Sequence, residues 1–323
     1  MKTLLVSTNQ CRQPVTVMPI GVCRIADALA GAGHVVRVLD LMFTSRPLRS
    51  VCKAVKEFRP DFTGISIRNI DNGNMSRPIW YLQNLPAIVE CVRREGDCPV
   101  VVGGGAVSVM PEEILRWSGA DWAVMGEGEN VMLKIVGALE RDGDPGKLPG
   151  VGVLDNGRFA LDSCGRYPPM DKPVAPDYQR WVDVPRYTAH GASIPIQTKR
   201  GCPRDCLYCT YPLIEGRSHR VAPPGEVRSA IKRYVVRGYR DFEFVDNVFN
   251  DPPEHALDVC RALKGIDSSV RFRTTDLSAR QLNRKFLKAM KAAGFGGFGV
   301  SVESASEKVD WERILVWRSS NLA

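Results

Sequence analysis

The sequence has no apolar stretch that approaches the length of a membrane-spanning helix. Residues 1–8 contain only a short apolar run, which predicts a first buried strand rather than a signal peptide. Blocks of basic residues are also missing: the 44 Lys and Arg side chains are scattered among 36 acidic ones, so the net charge of +8 does not indicate a nucleic-acid interface. These absences predict a cytoplasmic protein with neither a membrane nor a nucleic-acid partner.

The composition is that of an ordinary globular protein. Hydrophobic residues make up 44% of the 323 residues and charged residues 25%, and this length allows two domains, each with its own core. No low-complexity tract is present, and no internal repeat beyond an alternation of strands and helices. Changes in character along the chain predict four segments, at 1–142, 143–192, 193–306 and 307–323.

Residues 1–142 alternate apolar strands with amphipathic helices. Five βα units in series predict an α/β fold with a doubly wound parallel sheet, in which ligands bind beyond the carboxyl ends of the strands. The predicted strands are Thr3–Ser7, Val35–Asp40, Phe62–Ile67, Val100–Val102 and Trp122–Val124, and the predicted helices are Ile20–Ala30, Leu48–Phe58, Ile79–Arg94, Pro111–Trp117 and Asn130–Glu140.

Glycine-rich loops follow the fourth and fifth of these strands. Because glycine has no Cβ, it lets a backbone approach a phosphate or a large planar ligand closely; the alternative is that these loops are only tight turns. Polar residues also follow the first and third strands. The candidate binding residues in the glycine loops are Gly103, Gly104, Gly105, Gly126, Glu127 and Gly128.

Prolines punctuate residues 143–192 and predict a linker that lies along a surface. Within it, Asp155-Asn156-Gly157 predicts a small hairpin. Residues 193–306 then form a second αβ series, which predicts a parallel, barrel-type sheet that stops early. Its predicted strands are Ile194–Thr198, Asp241–Val245, Val270–Thr274 and Gly297–Val302, and its helices are Gly225–Arg237, Pro253–Leu263 and Ser278–Ala293.

Three of the ten cysteines, Cys202, Cys206 and Cys209, stand within eight residues. One loop can therefore present three thiolates to a single metal centre. A structural zinc site needs a fourth ligand, for which Cys164 and His219 are the candidates, and the basic segment around His219 predicts a solvated surface residue. An iron–sulfur cube with one open iron needs no fourth protein ligand and is favoured. The dispersed cysteines are expected to be reduced, buried small hydrophobes: Cys11, Cys23, Cys52, Cys91, Cys98, Cys164 and Cys260.

A strand, then Cys-x-x-x-Cys-x-aromatic-Cys, then an αβ series resembles the radical S-adenosylmethionine superfamily, whose members are built on a partial or full βα barrel. The resemblance implies that Cys202, Cys206 and Cys209 bind three irons of a [4Fe-4S] cluster and that the fourth iron chelates S-adenosyl-L-methionine. An electron, from a donor such as flavodoxin or ferredoxin, would then cleave this cofactor to methionine and a 5′-deoxyadenosyl radical. Tyr208 matches the aromatic position beside the adenine.

Two further strand ends match positions that contact S-adenosylmethionine in this superfamily. Asp246 and Asn247 would help to hold the methionine moiety, although an N-cap and a turn would explain them equally well. Ser301 and Glu303 would face the ribose or the carboxylate, because a carboxylate at the end of a buried apolar strand usually has a partner.

The amino-terminal half resembles the cobalamin-binding domain fused to one subgroup of this superfamily. The similarity rests on Pro19-Ile20-Gly21, on Gly103–Gly105 and on the glycine loop at 126–129. It implies that the corrin lies on the carboxyl edge of the sheet. The sequence has no Asp-x-His-x-x-Gly, so no histidine is offered to the cobalt, which is common in the subgroup; residues 15–18 are candidates for its lower face.

Together the two resemblances imply a cobalamin-dependent radical S-adenosylmethionine enzyme that methylates an unactivated carbon of a small-molecule substrate. Cyclisation or rearrangement by the same domains is the nearest alternative. The family would continue through at least two more strands after residue 306, whereas residues 307–323 form an atypical tail. We therefore also expect a truncated barrel, whose extreme case is a cofactor-binding remnant without activity.

Overall fold

The computed structural model describes residues 1–162 and 174–300, which form two compact units. The first unit contains residues 1–162 and 176–191, and the second contains residues 174–175 and 192–300. The domain limits at 142, 192 and 306 stay predictions. Among the described residues, no helix is both long enough and apolar enough to cross a membrane.

The first unit is built on one seven-stranded sheet. Its strands are β1 Lys2–Ser7, β2 Val35–Asp40, β3 Phe62–Ser66, β4 Val100–Gly103, β5 Trp122–Val124, β6 Val151–Asp155 and β7 Arg158–Leu161. Its helices are α1 Ile20–Gly31, α2 Pro47–Phe58, α3 Leu85–Gly96, α4 Gly105–Val109, α5 Pro111–Ser118, α6 Gly128–Leu139, α7 Tyr178–Trp181 and α8 Val184–Ala189.

The strand order of this sheet is β2-β1-β3-β4-β5-β6-β7, and β1 to β5 are parallel. Side chains of successive residues in β1 enter different cores: Leu4 and Val6 pack in one cluster and Leu5 in another. A strand buried on both faces reads as a continuous apolar run because helices cover both sides of the sheet. The predicted doubly wound sheet is confirmed.

The hairpin at 151–161 is also confirmed, and it extends the sheet as two antiparallel strands beside β5. The rest of the proline-rich segment that the structure describes does not lie along a surface as expected. Tyr178 and Tyr187 are fully buried, and the Tyr187 hydroxyl donates to Asp40 Oδ2 at 2.7 Å. Proline occupies the first turn of α8, where its fixed φ favours a helix over an extended linker.

Two other expectations for this unit need correction. Helix α3 begins at Leu85 rather than Ile79, because Asn72 Oδ1 accepts from the backbone N–H groups of Asn74 and Ile79 and holds that segment as a loop. The cysteines at 52 and 91 are not reduced thiols. They form a disulfide, since α2 and α3 bring their Cα atoms within 5.8 Å.

The second unit has a four-stranded parallel sheet in the order β13-β12-β11-β8. A short antiparallel pair, β9 with β10, follows the end of β8. The strands are β8 Ile194–Ile196, β9 Lys199–Arg200, β10 Arg220–Val221, β11 Asp241–Phe244, β12 Arg271–Leu277 and β13 Phe295–Val300. The helices are α9 Tyr211–Glu215, α10 Pro224–Val236, α11 Pro253–Leu263 and α12 Arg284–Ala293. The parallel βα series predicted for this part is confirmed.

Four aromatic rings form the centre of the second core. The ring of Phe244 lies 4.9 Å from that of Phe249, 5.7 Å from that of Phe272 and 5.2 Å from that of Phe295, measured between centroids. Because Phe244 ends β11, this packing fixes the strand end from which Asp246 and Asn247 project.

We expect Phe244→Ala to lower the free energy of unfolding of the second unit by about 3–5 kcal/mol, the usual cost of deleting a buried ring. Phe298→Ala is the matched control, since Phe298 is 48% exposed whereas Phe244 is fully buried. It should cost less than about 1 kcal/mol. Equilibrium urea unfolding followed by circular dichroism measures both changes, and equal losses would contradict the central role of Phe244.

Candidate functional site

The three clustered cysteines lie in a loop between β9 and α9, which we call the cysteine loop (residues 201–210). None of the three thiols forms a disulfide; Cys202 is buried, whereas Cys206 and Cys209 are partly exposed. The backbone N–H of Cys202 donates to Gly216 O at 3.0 Å, and that of Cys209 donates to Cys206 O at 3.1 Å. Between residues 201 and 210 the backbone is neither helix nor strand, so it can adjust around a ligand.

The chemistry of this donor set fits an iron–sulfur cluster. Three soft thiols on one short loop are the usual protein ligands of such clusters. Within the ranges 1–162 and 174–300, no three His, Cys, Asp or Glu side chains are already grouped to hold a metal ion. Cluster binding therefore requires the three sulfur atoms to converge.

The structure provides no support for the zinc alternative, which needs His219 or Cys164 as a fourth ligand. His219 is not the solvated surface residue that its basic neighbours suggested: it is half-buried, and its Nε2 is buried without a hydrogen-bond partner. Burial lowers the pKa of His219, and the positive charge of Lys199 lowers it further. Among the described residues, His219 and the cysteines are not grouped as a four-ligand site. The other candidate, Cys164, lies outside the described residues.

The cysteine loop begins at Gly201, and any other residue at this position would force neighbouring backbone atoms to move. Gly201 has φ +81°, and a Cβ built on it would lie 2.0 Å from the backbone oxygen of Ser218. The backbone of the loop therefore packs directly against the residues before β10. Glu215 supports this contact from α9, because its Oε2 accepts the Gly201 N–H at 3.2 Å and its Oε1 accepts from Gln197 Nε2 at 2.7 Å. Burial raises the pKa of Glu215.

Asp246, at the end of β11, braces the residues that precede the loop. Its carboxylate accepts hydrogen bonds from Thr198 N–H at 2.7 Å, from Thr198 Oγ1 at 2.7 Å and from Lys199 N–H at 3.0 Å. The side chain is buried, which raises its pKa, while the positive charge of Lys199 opposes that rise. These hydrogen bonds direct the backbone of Thr198 and Lys199 towards Asp246 and away from the sheet. Strand β8 therefore ends at Ile196 instead of Thr198.

Asn247 connects the same residues to the loop. Its Oδ1 accepts from Lys199 Nζ at 2.5 Å and from Val248 N–H at 2.9 Å, and its Nδ2 donates to Gly201 O at 3.3 Å. The structure thus brings Asp246 and Asn247 to the cysteine loop. Their contact with a methionine moiety stays a prediction.

Tyr208 is exposed on the cysteine loop, and its place beside an adenine also stays a prediction. Ser301 and Glu303 lie outside the described residues. One further contact to the loop was not predicted from the sequence: Arg204 Nε donates to Asp251 Oδ2 at 2.7 Å, and Gln281 Nε2 donates to Asp251 Oδ1 at 3.2 Å. Asp251 precedes two prolines that open α11, so its sequence context indicates only a helix start.

The first unit has a cavity of about 880 Å³ at the carboxyl ends of β1 and β3. The strand order reverses between these two strands, which is where ligands bind in doubly wound sheets. The polar loops after β1 and β3 form two of its walls, and the first loop contributes residues 8–14 rather than 15–18. Among the lining residues are Asn9, Cys11, Arg68, Asn69, Trp80 and Tyr81. A hydrogen bond with Cys11 and partial burial raise the pKa of Tyr81 to about 12.

The glycine loops serve the packing of the first unit and do not line this cavity. A Cβ on Gly104, where φ is +104°, would lie 2.5 Å from Ile67 O, and one on Gly128 would lie 2.8 Å from the Ile25 side chain. Gly126 donates its N–H to Ser108 Oγ at 2.9 Å. Gly103 ends β4, Gly105 begins α4 and Glu127 precedes α6. The sequence pattern missed Trp80 and Tyr81, because it placed them in a helix.

Two family models match the chain in the same order as the two units. The B12 binding domain matches residues 14–136, and the Radical SAM superfamily matches residues 196–317. Among curated proteins, the chain is 26% identical over 304 residues to an uncharacterized methyltransferase of Pyrococcus horikoshii, covering 90% of this chain and 62% of that protein. It is also 26% identical over 301 residues to the hopanoid C-3 methylase of Methylococcus capsulatus, covering 88% and 53%.

Solved structures share the fold. The radical S-adenosylmethionine methyltransferase TsrM from Kitasatospora setae, with tryptophan substrate and a SAM analog bound, superposes with a TM-score of 0.84 at 23% identity, covering 95% of this chain and 60% of that one. The cobalamin-dependent enzyme OxsB gives a TM-score of 0.75 at 16% identity, covering 94% and 44%. The chain spans 62% or less of the length of these relatives.

Proposed function

Because the chain belongs to the cobalamin-dependent subgroup of the radical S-adenosylmethionine superfamily, we propose that it transfers a methyl group to an unactivated carbon of a small molecule. The observation that carries this proposal is the pairing of a three-cysteine loop in one unit with a switch-point cavity in the other. Two relatives are named as enzymes that methylate carbon, which supports methyl transfer: a hopanoid C-3 methylase and a tryptophan 2-C-methyltransferase.

In this proposal the thiols of Cys202, Cys206 and Cys209 hold a [4Fe-4S] cluster. When bound, the cluster supplies the electron that cleaves S-adenosyl-L-methionine, and cobalamin carries the methyl group. Asp246 and Asn247 fix the start of the cysteine loop through Thr198, Lys199 and Gly201, so the first thiol is presented from a rigid base.

The remaining roles follow the same assignment. Tyr208 would face the adenine, and Ser301 and Glu303 would contact the ribose or carboxylate of S-adenosylmethionine. The cavity between the loops after β1 and β3 would receive cobalamin, with Trp80 and Tyr81 as aromatic walls. A flavodoxin or ferredoxin is the proposed electron donor.

A radical cyclisation is the second candidate. One relative, an anaerobic magnesium-protoporphyrin IX monomethyl ester cyclase from Synechocystis, is 26% identical over 197 residues. A cyclase and a methyltransferase both release 5′-deoxyadenosine, but only methyl transfer converts a second S-adenosylmethionine to S-adenosylhomocysteine. A remnant without activity would release neither product.

The proposal is tested by anaerobic reconstitution of the 323-residue chain with iron, sulfide and cobalamin. We expect about four irons per chain, and loss of nearly all of them when the three loop cysteines are replaced by alanine, because no thiolate then remains to bind them. Metal analysis and the absorbance of the thiolate-to-iron band measure this loss. Bound cobalamin should remain in the variant, since its proposed cavity lies in the first unit.

A variant with Cys11, Cys98 and Cys260 replaced by alanine is the matched control, because it also removes three free thiols. Burial raises the pKa of Cys98, and it raises the pKa of Cys260 to about 12, so neither offers a ready thiolate. The control should keep its iron. Iron that persists in the loop variant would exclude the cluster assignment. Release of 5′-deoxyadenosine and of S-adenosylhomocysteine under dithionite then distinguishes the three functions: methyl transfer gives both products, cyclisation gives only the first, and an inactive chain gives neither.

A further inference from the structure

A lysine is buried at the base of the cysteine loop. Lys199 lies in β9 and is 1% exposed. Its backbone N–H donates to Asp246 Oδ1 at 3.0 Å, and its ammonium Nζ donates to Asn247 Oδ1 at 2.5 Å. Asn247 Nδ2 donates in turn to Gly201 O. The side-chain amide of Asn247 therefore connects the ammonium to the backbone carbonyl at the start of the cysteine loop.

Among the described residues this ammonium forms no salt bridge, and the buried carboxylates of Asp246 and Glu215 interact with its charge only at longer range. An ammonium has three N–H donors, and within the described part of the chain its single hydrogen bond goes to a neutral amide. The acidic side chains in this region accept hydrogen bonds from groups other than the ammonium: Asp246 from Thr198 and from the Lys199 backbone, Glu215 from Gln197, and Asp251 from Arg204. A buried charge normally has a partner of opposite sign, so its retention here points to an anionic group that binds close by.

The field of Lys199 reaches groups on separate elements around the loop. The pKa of His219, just before β10, is lowered by burial and then by Lys199. The pKa of His255, in α11, is lowered chiefly by burial; the charge of Asp246 opposes this and that of Lys199 adds to it. His255 is buried and His219 is half-buried, and electrostatic interactions between buried groups are stronger than in water.

We propose that Lys199 raises the reduction potential of the cluster held by Cys202, Cys206 and Cys209. This inference rests on the proposed function. Reduction adds one electron from an external donor to the cluster and moves no proton or covalent bond, so the cluster becomes more negative by one charge. A fixed positive charge beside the loop stabilises that reduced state. Charge near a cluster is one of the main determinants of its potential.

The test is a redox titration of the reconstituted full chain, followed by electron paramagnetic resonance, with dithionite as the reductant. In Lys199→Met and Lys199→Gln, we expect the ratio of reduced to oxidised cluster at a fixed potential to fall at least tenfold, which is about 59 mV for one electron. Lys199→Arg should restore the ratio because it keeps the charge. Lys232→Met, which removes an exposed lysine of α10, is the matched control and should leave the ratio unchanged.

The results of this titration distinguish a role of Lys199 in the reduction potential from a role in cluster assembly. Neutral variants that load iron normally and keep the wild-type potential would overturn the proposal. Neutral variants that fail to load iron, while Lys199→Arg loads it, would assign the ammonium to cluster assembly and overturn a role in the potential. Failure of the unsubstituted chain to bind iron would instead refute the proposed function, so the two ideas fail separately.

Discussion

Gly201→Ala is expected to abolish cluster binding although it alters no cysteine. Gly201 has a φ of +81°, where an L-residue costs about 1–2 kcal/mol, and its Cβ would lie only 2.0 Å from Ser218 O. Neither backbone can yield without moving the start of the cysteine loop away from Glu215 and from the residues before β10. Iron content after reconstitution should fall to the level of the variant without the loop cysteines.

Gly238→Ala separates the two causes of this effect. Gly238 has a similar φ of +94°, but a Cβ there meets nothing within 4 Å. This control bears the backbone strain without the collision, so it should lose some stability and keep its iron. Equal iron loss in both variants would show that strain alone, rather than the contact with Ser218, is decisive.

Asp246→Ala should have the second largest effect, on both stability and iron content. It removes one carboxylate that accepts three hydrogen bonds, and it takes away the partner of two buried backbone N–H groups, those of Thr198 and Lys199. Each buried donor without a partner costs about 1–3 kcal/mol, so we expect a loss of roughly 3 kcal/mol or more in the free energy of unfolding. Iron content should fall with it, because the loop then has no fixed base.

Asp258→Ala is the control for this change, since Asp258 is an exposed aspartate of α11 that forms a salt bridge with Arg261. It should cost less than about 1 kcal/mol. Asp246→Asn retains an acceptor and should lie between the two. Urea unfolding and iron analysis on the three variants test the order; an Asp246→Ala variant as stable as Asp258→Ala would remove Asp246 from this role.

Much of the fold follows from periodicity because apolar faces must be buried. Strand β2 and helix α11 have the limits that the sequence predicted, Val35–Asp40 and Pro253–Leu263. The start of α3 was wrong, because the hydrogen bonds of Asn72 outweigh the apolar pattern that begins at Ile79. Such side-chain bonds to a nearby backbone are hard to distinguish from ordinary polar residues in a sequence.

The spacing of residues in the sequence predicted only the local part of the candidate site, the cysteine loop. The gaps between three cysteines are visible in the sequence, and they identify the loop. The partners of that loop are not, because Lys199 and Asp246 are 47 residues apart and meet only when β11 pairs with β8. Burial of an Asp, a Glu and a Lys around one loop is a tertiary property, and polar residues in a sequence are expected at the surface.

The unequal burial of the three thiols also makes their access to solvent unequal. Cys202 is buried and tied through its backbone to Gly216, whereas Cys206 and Cys209 are partly open to solvent. In the proposed cluster, water would therefore have more access to the irons bound by Cys206 and Cys209 than to the iron bound by Cys202. Oxidants dissolved in water would reach Cys206 and Cys209 before they reach Cys202.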